Sequence, residues 1–216
     1  MKKILAVFLL FIGFSAQAQP MLKGGLDAFI KTNIIYPGFS LQNCLEGKIN
    51  ISFKINLAGE VYTSEVSSGM GTDLDQEALR LIRLSSGKWQ VPEGYDTAYV
   101  IIAPVNFTIS GGDCATIGIT EKNKAIAAYR ANEGLTEVIT NFYRNKGQGK
   151  FNKAEEGRII ALKGELGYDD TYLKKKIEEG QKRLKQNDKQ GACEDFLFVK
   201  YMGSALADEL LEKYCK

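Results

Sequence analysis

Residues 47–68 read GKINISFKINLAGEVYTSEVSS, and the fold is decided in this stretch. Ile49, Ile51, Phe53, Ile55 and Leu57 alternate with Lys48, Asn50, Ser52, Lys54 and Asn56. That period of two is the signature of a strand with one buried and one wet face. Leu57-Ala58-Gly59-Glu60 supplies a short turn, and Val61–Ser67 resumes with Val61, Tyr62, Thr63 and Val66, residue types that suit strands. The pair predicts a β-hairpin.

Downstream, Thr72 or Asp73 is placed to cap a helix whose Leu74, Ala78, Leu81 and Ser85 share one face, widened by Leu79 and Ile82, before Ser86-Gly87 ends it. Alternation returns over Tyr99–Ile109, with Ile101, Ala103, Val105, Phe107 and Ile109 facing one way. Pro104 lies inside this third strand; it cannot donate a ladder hydrogen bond, which assigns the strand to an edge. A helical crossover then places the third strand antiparallel to the first, in the order second, first, third, with the helix over the apolar face. Such a sheet has two open edges.

Tyr36-Pro37, Glu46-Gly47, Gly59, Leu74-Asp75, Ala78, Trp89, Pro92 and Pro104-Val105-Asn106-Phe107 occur in this order around those elements. Together they resemble the C-terminal domain of TonB, over about Gly24–Ile109. The resemblance implies an α+β fold, a small β-β-α-β unit with a three-stranded antiparallel sheet packed with helices.

The chain begins with Lys2 and Lys3, an apolar run Ile4–Phe14 and Ala16-Gln17-Ala18, the three parts of a secretory signal peptide. Cleavage is expected after Ala18. The run is shorter than the roughly 20 residues of a spanning helix, so no retained transmembrane helix is expected, and the absence of a following Cys argues against a lipoprotein. The predicted location is across the inner membrane, in the periplasm. Losing Lys2 and Lys3 turns 28 Lys plus Arg against 26 Asp plus Glu into a neutral balance, which offers nucleic acid no global attraction.

The chain contains 0 His, which removes the usual general base near neutral pH and the commonest metal ligand. Its acids, such as Asp73 and Asp75, sit where helix capping explains them. A non-enzymatic role without cofactor or metal is expected.

Four cysteines in an exported chain read as disulfides with three possible connectivities. Cys44 lies just before the first strand and Cys114 just beyond the third, at one end of an antiparallel pair. The expected bridges are therefore Cys44–Cys114 and Cys193–Cys215. Beyond Gly111-Gly112 the alternation stops and apolar residues recur at helical spacing. Helices are expected near Glu121–Asn132, Thr136–Asn145, Asn152–Leu166, Asp170–Gln186, Lys189–Met202 and Ser204–Tyr214. Leu173, Ile177, Gly180 and Leu184 form one stripe, Ala192, Phe196, Val199 and Gly203 a second, and Leu206, Leu210 and Tyr214 a third. The run from Leu173 to Cys215 resembles the end of a tetratricopeptide-like helical repeat. The organisation expected is a leader (1–18), a TonB-like domain (19–112) and an all-α domain (113–216), tetratricopeptide-like near 170–216.

Two further features read most simply as structure. Lys174-Lys175-Lys176 with Lys182, Arg183 and Lys185 is interleaved with Glu178 and Glu179, as on a solvated helix face. Trp89, the only tryptophan, stands where it would seal the helix against the sheet.

TonB domains bind a short extended segment of an outer-membrane receptor along their last strand. The matching positions are Tyr99, Val100, Ile101, Ile102 and Ala103, with Val100 and Ile102 facing outward. The physics is strand addition, backbone hydrogen bonds for affinity and alternate side chains for selectivity. The resemblance thus implies a protein-binding module whose partner is an outer-membrane TonB-dependent receptor or another envelope protein. With only 4 Pro there is no proline-rich spacer, so the chain lacks what an energy transducer needs. The competing expectation is a self-associating periplasmic assembly protein, a homodimer through the same edge strand.

Overall fold

The computed structural model describes residues 19–110 and 113–215; residues 1–18, where the leader is expected, Gly111-Gly112 and Lys216 lie outside the described residues. Among the described residues, five strands and eight α-helices follow in the order β1 (Met21–Leu22), α1 (Leu26–Asn33), α2 (Gly38–Gln42), β2 (Gly47–Ile55), β3 (Val61–Ser68), α3 (Asp73–Leu84), β4 (Trp89–Gln90), β5 (Ile101–Phe107), then α4 (Ile119–Gly147), α5 (Glu156–Glu165), α6 (Asp170–Lys185), α7 (Lys189–Tyr201) and α8 (Asp208–Tyr214). The fold is α+β.

The main sheet has the order β3-β2-β5, antiparallel throughout. Its apolar residues Ile49, Ile51, Phe53 and Ile55 are buried with Ala103, Val105 and Phe107 against Leu74, Ala78, Leu81 and Ile82 of α3. The first strand stops at Ile55, two residues earlier than the alternation suggests, because Asn56 turns the chain. Its side-chain oxygen accepts from the N–H groups of Ala58 and Glu60, leaving Leu57 exposed. Gly59 is obligatory in this turn: its φ is 76°, and a Cβ there would lie 2.2 Å from the carbonyl oxygen of Trp89.

α3 is capped by Thr72, whose hydroxyl accepts from Leu74 N–H at 3.4 Å. Its first-turn acids organise the neighbouring loops. Asp75 accepts from Met70 and Gly71 N–H at 2.9 and 2.7 Å, and Asp73 accepts from Phe39 and Ser40 N–H at 3.1 and 3.3 Å, holding α2 against α3. Trp89 is buried against Phe53, ring centroids 5.3 Å apart, and its indole N–H donates to Ser85 Oγ at 2.8 Å. Its backbone belongs to a second, two-stranded sheet with β1, pairing Leu22 with Trp89 and Met21 with Gln90. Two-residue strands carry no periodicity, so neither was legible beforehand.

Helices form the rest of the chain. The two segments expected over Glu121–Asn132 and Thr136–Asn145 are one 29-residue helix, α4, that continues through Gly134. A glycine inside a helix costs only about 1 kcal/mol relative to alanine. Packing at both ends outweighs that: Ile126 lies against the sheet's core, while Ile139 and Phe142 enter a second core with Ile159, Leu173, Phe196 and Val199. The α6–α7 hairpin closes where Gly180 meets the Phe196 ring. The third stripe is displaced. Gly203, with φ of 78°, reverses the chain beside Tyr143, so α8 starts only at Asp208, Ala207 is buried and Leu206 exposed.

Disulfides join Cys44 to Cys114 and Cys193 to Cys215, with Cα separations of 5.4 and 5.6 Å. Among the described residues no helix is long and apolar enough to cross a membrane.

Candidate functional site

The two edges of the β3-β2-β5 sheet are treated differently. β5 pairs with β2 from Gly47↔Phe107 to Phe53↔Ile101, and no described strand lies on its other side. It is shorter than the alternation suggests by two residues at each end. Tyr99 and Val100 precede the strand: Tyr99 N–H donates to Asp96 O at 3.0 Å in a turn, and both side chains are exposed. Tyr62, on β3, holds this approach loop by donating its hydroxyl to Thr97 O at 2.7 Å.

Within β5 the side chains alternate. Ile102, opposite Ser52, is 64% exposed; Ala103, opposite Ile51, is 2% exposed; Ile101 is half-buried. Of the five candidate positions, Ile101–Ala103 therefore present strand backbone, and Ile102 alone among those three sends its side chain to solvent. Tyr99 and Val100 flank that strand as exposed apolar surface. The sequence IIAPVNF of β5 contains no charged residue. Pro104, opposite Asn50, removes one N–H from the strand.

The β3 edge corrects the expectation of two open edges. Gln190, in the first turn of α7, lies beside Ser64: Ser64 N–H donates to Gln190 Oε1 at 2.8 Å and Gln190 Nε2 donates to Ser64 O at 2.8 Å. A side-chain carboxamide occupies the place of a fourth strand. Arg83, on α3 and 3% exposed, completes the contact. Its Nε donates to Ser64 Oγ at 2.8 Å, and its fork reaches both Glu194 oxygens at 2.7 and 2.8 Å. Glu194 in turn accepts from Gln190 Nε2 at 3.1 Å. The alternation rules say nothing of side chains that reach in from a distant helix. The one local signal was an arginine inside the apolar run LIRL of α3.

Behind this contact two carboxylates are buried, one at the N-cap of α7 and one within it. Asp188 caps the helix by accepting from Gly191 N–H at 2.7 Å. Burial pushes its carboxyl up, against the opposing pull of that N–H and of Arg83 and Arg183. Burial likewise pushes Asp195 up, opposed by Lys176 and Arg183, which approach it to 3.1 and 3.0 Å. Lys176 and Arg183 thus leave the basic run of α6 and turn inward. Lys174, Lys175, Lys182 and Lys185 stay exposed among Glu178 and Gln181.

A surface hollow between the start of β3 and α7–α8 is walled by Glu60, Lys189, Lys213 and Tyr214, without paired carboxylates or an activated nucleophile. Among the described residues no group of three or more His, Cys, Asp or Glu is placed to hold a metal ion.

Residues 32–109 match the family model of the Gram-negative bacterial TonB protein C-terminal domain. Comparison with curated proteins and with solved structures gives no match. The matched segment runs from the end of α1 through β5 and includes both sheet edges. The order of strands and the helix over the apolar face agree with this match, so residues 32–109 are similar to a TonB C-terminal domain, and a helical tail follows them.

Proposed function

We propose that this chain is a non-enzymatic, extracytoplasmic binding module that docks an extended segment of an outer-membrane receptor or transport component as an added strand beside β5. The observation that carries the reading is the state of that edge: an uncharged edge strand with Ile102 exposed near its start. Exported proteins ordinarily protect such an edge with charge or cover. Here the cover is supplied by the partner. Backbone groups of Ile101–Ala103 give affinity, and a pocket-forming side chain laid over Ile102, Val100 and Tyr99 gives selectivity. In this reading the chain is periplasmic after loss of its leader, residues 19–112 bind, and residues 113–216 brace the sheet from the opposite edge.

The test is a photo-crosslinking residue at position 102 in the protein expressed and exported by its own cell, with captured peptides identified by mass spectrometry. A receptor or transporter segment captured in extended register supports the proposal. Capture of the same position in a second copy replaces it with self-association through β5, and no capture removes β5 as a binding edge.

A further inference from the structure

We infer that the loop before β5 is a strap poised to close onto β2: Tyr99 and Val100 pass from their turn into the ladder, lengthen β5 at its start and add Val100 to the docking edge. That the longer edge serves docking rests on the reading of β5 proposed above; the lengthening itself does not.

The ladder leaves room for it. β2 continues through Lys54 and Ile55, whereas its pairing with β5 ends at Phe53↔Ile101. Continued in the same register, Val100 falls opposite Lys54 and Tyr99 opposite Ile55. Ser64, opposite Phe53, turns its N–H and C=O away from β2 to Gln190, so Phe53 turns its own towards β5. Alternation then directs the backbone groups of Ile55 to the β5 side, where Tyr99 would meet them, and those of Ile102, Pro104 and Asn106 to the free edge. Pro104 has no N–H, so Ile102 has no second complete donor–acceptor pair beside it. Val100 is the residue that supplies one.

One turn and one side chain hold the strap open. Tyr99 N–H donates to Asp96 O at 3.0 Å, Ala98 N–H to Asp96 Oδ1 at 2.8 Å, and the Tyr62 hydroxyl to Thr97 O at 2.7 Å. Tyr99 and Val100 are exposed and of types that suit strands. The buried hydroxyl of Tyr95, in the same loop, has no hydrogen-bond partner among the described residues, so the loop's open seat is incompletely satisfied. On closure Tyr99 N–H exchanges Asp96 O for Ile55 O.

The test is nuclear magnetic resonance on the full chain, the parent against Tyr62→Phe with Asp96→Ala. Expected in the double variant is an Hα–Hα cross-peak between Lys54 and Val100, a closely spaced antiparallel pair, absent from the parent. Ala98 N–H should exchange about tenfold faster for want of its acceptor, while Tyr99 N–H stays protected. Tyr62→Phe alone, with the turn left in place, should give a weaker cross-peak. A double variant without the cross-peak overturns the strap, as does a cross-peak equally strong in the parent. Docking is read separately, by photo-crosslinking from position 102: the double variant should capture about threefold more than the parent, the net gain of one hydrogen bond. Equal capture by both overturns the strap's part in docking, and capture by neither overturns the reading of β5 while the cross-peak still decides the strap.

Discussion

Gly180 on α6 lies directly beneath the ring of Phe196 on α7, so close that a Cβ at 180 would sit 2.5 Å from the ring's Cε1. The ring is fully buried and the contact sets how nearly the two helices approach. Gly180→Ala should therefore destabilise the tail despite alanine's better helix propensity, by about 1–3 kcal/mol, the usual cost of overpacking. A urea titration followed by circular dichroism measures it. A neutral or stabilising substitution would mean that the helices separate freely.

The two disulfides close loops of different size, with sequence separations of 70 and 22. The chain-entropy relation assigns about 4 kcal/mol to the Cys44–Cys114 bridge and about 3 kcal/mol to the Cys193–Cys215 bridge. Serine pairs replacing each bridge should separate them in that order. A larger loss at Cys193–Cys215 would show that the tail's small core depends on its bridge for contacts as well as for entropy.

Tyr36 donates its hydroxyl to Leu45 O at 2.5 Å and packs edge-on against Phe107. Burial, with Glu46 and Asp73 adding to it, raises its pKa from 10.0 to about 12. Folding thus favours the protonated phenol. The stability this gives is fully present below pH 10 and is lost as pH rises towards 12. The stability difference between the parent and Tyr36→Phe should be constant from neutral pH to about 10 and shrink above it. A difference that grows with alkali reverses the assignment.

Ile102 is exposed and bears on no core residue, so Ile102→Lys should change stability by no more than about 0.5 kcal/mol. The same lysine places a charge on an open edge, the ordinary means of preventing strand addition. Photo-crosslinking from a residue at position 100 in the Ile102→Lys background should lose its capture. Retained capture with unchanged register would mean that backbone at β5 is not what the partner reads.

Elements whose residues announce themselves by period were legible. β2, β3, α3 and their order followed from Ile49–Leu57, from Thr72 as a cap and from Pro104 as an edge residue. The limits of β5 were not, because Tyr99 and Val100 look as apolar as strand residues while Asp96 draws them into a turn. The continuity of α4 across Glu121–Asn132 and Thr136–Asn145 was not legible either, because the packing that carries it through Gly134 lies in two separate cores. Gln190 could not be read at all. A carboxamide acquires its role only when a helix 126 residues away in sequence is laid against Ser64, and period carries no information about that.

The bridge between Cys44 and Cys114 also decides how tension travels. Cys114 follows β5 and precedes α4, so a pull on the tail would otherwise arrive at the end of β5 and unzip it from β2, one ladder bond after another. The bridge diverts that load to Cys44, at the root of the central strand. The outer strand is then spared whenever the tail is tugged, and a segment held along β5 stays seated while force passes beneath it. Stretching single molecules between residues 60 and 214 in the parent and in the Cys44→Ser, Cys114→Ser variant reads this directly: only the variant should lengthen in the early step that marks loss of β5.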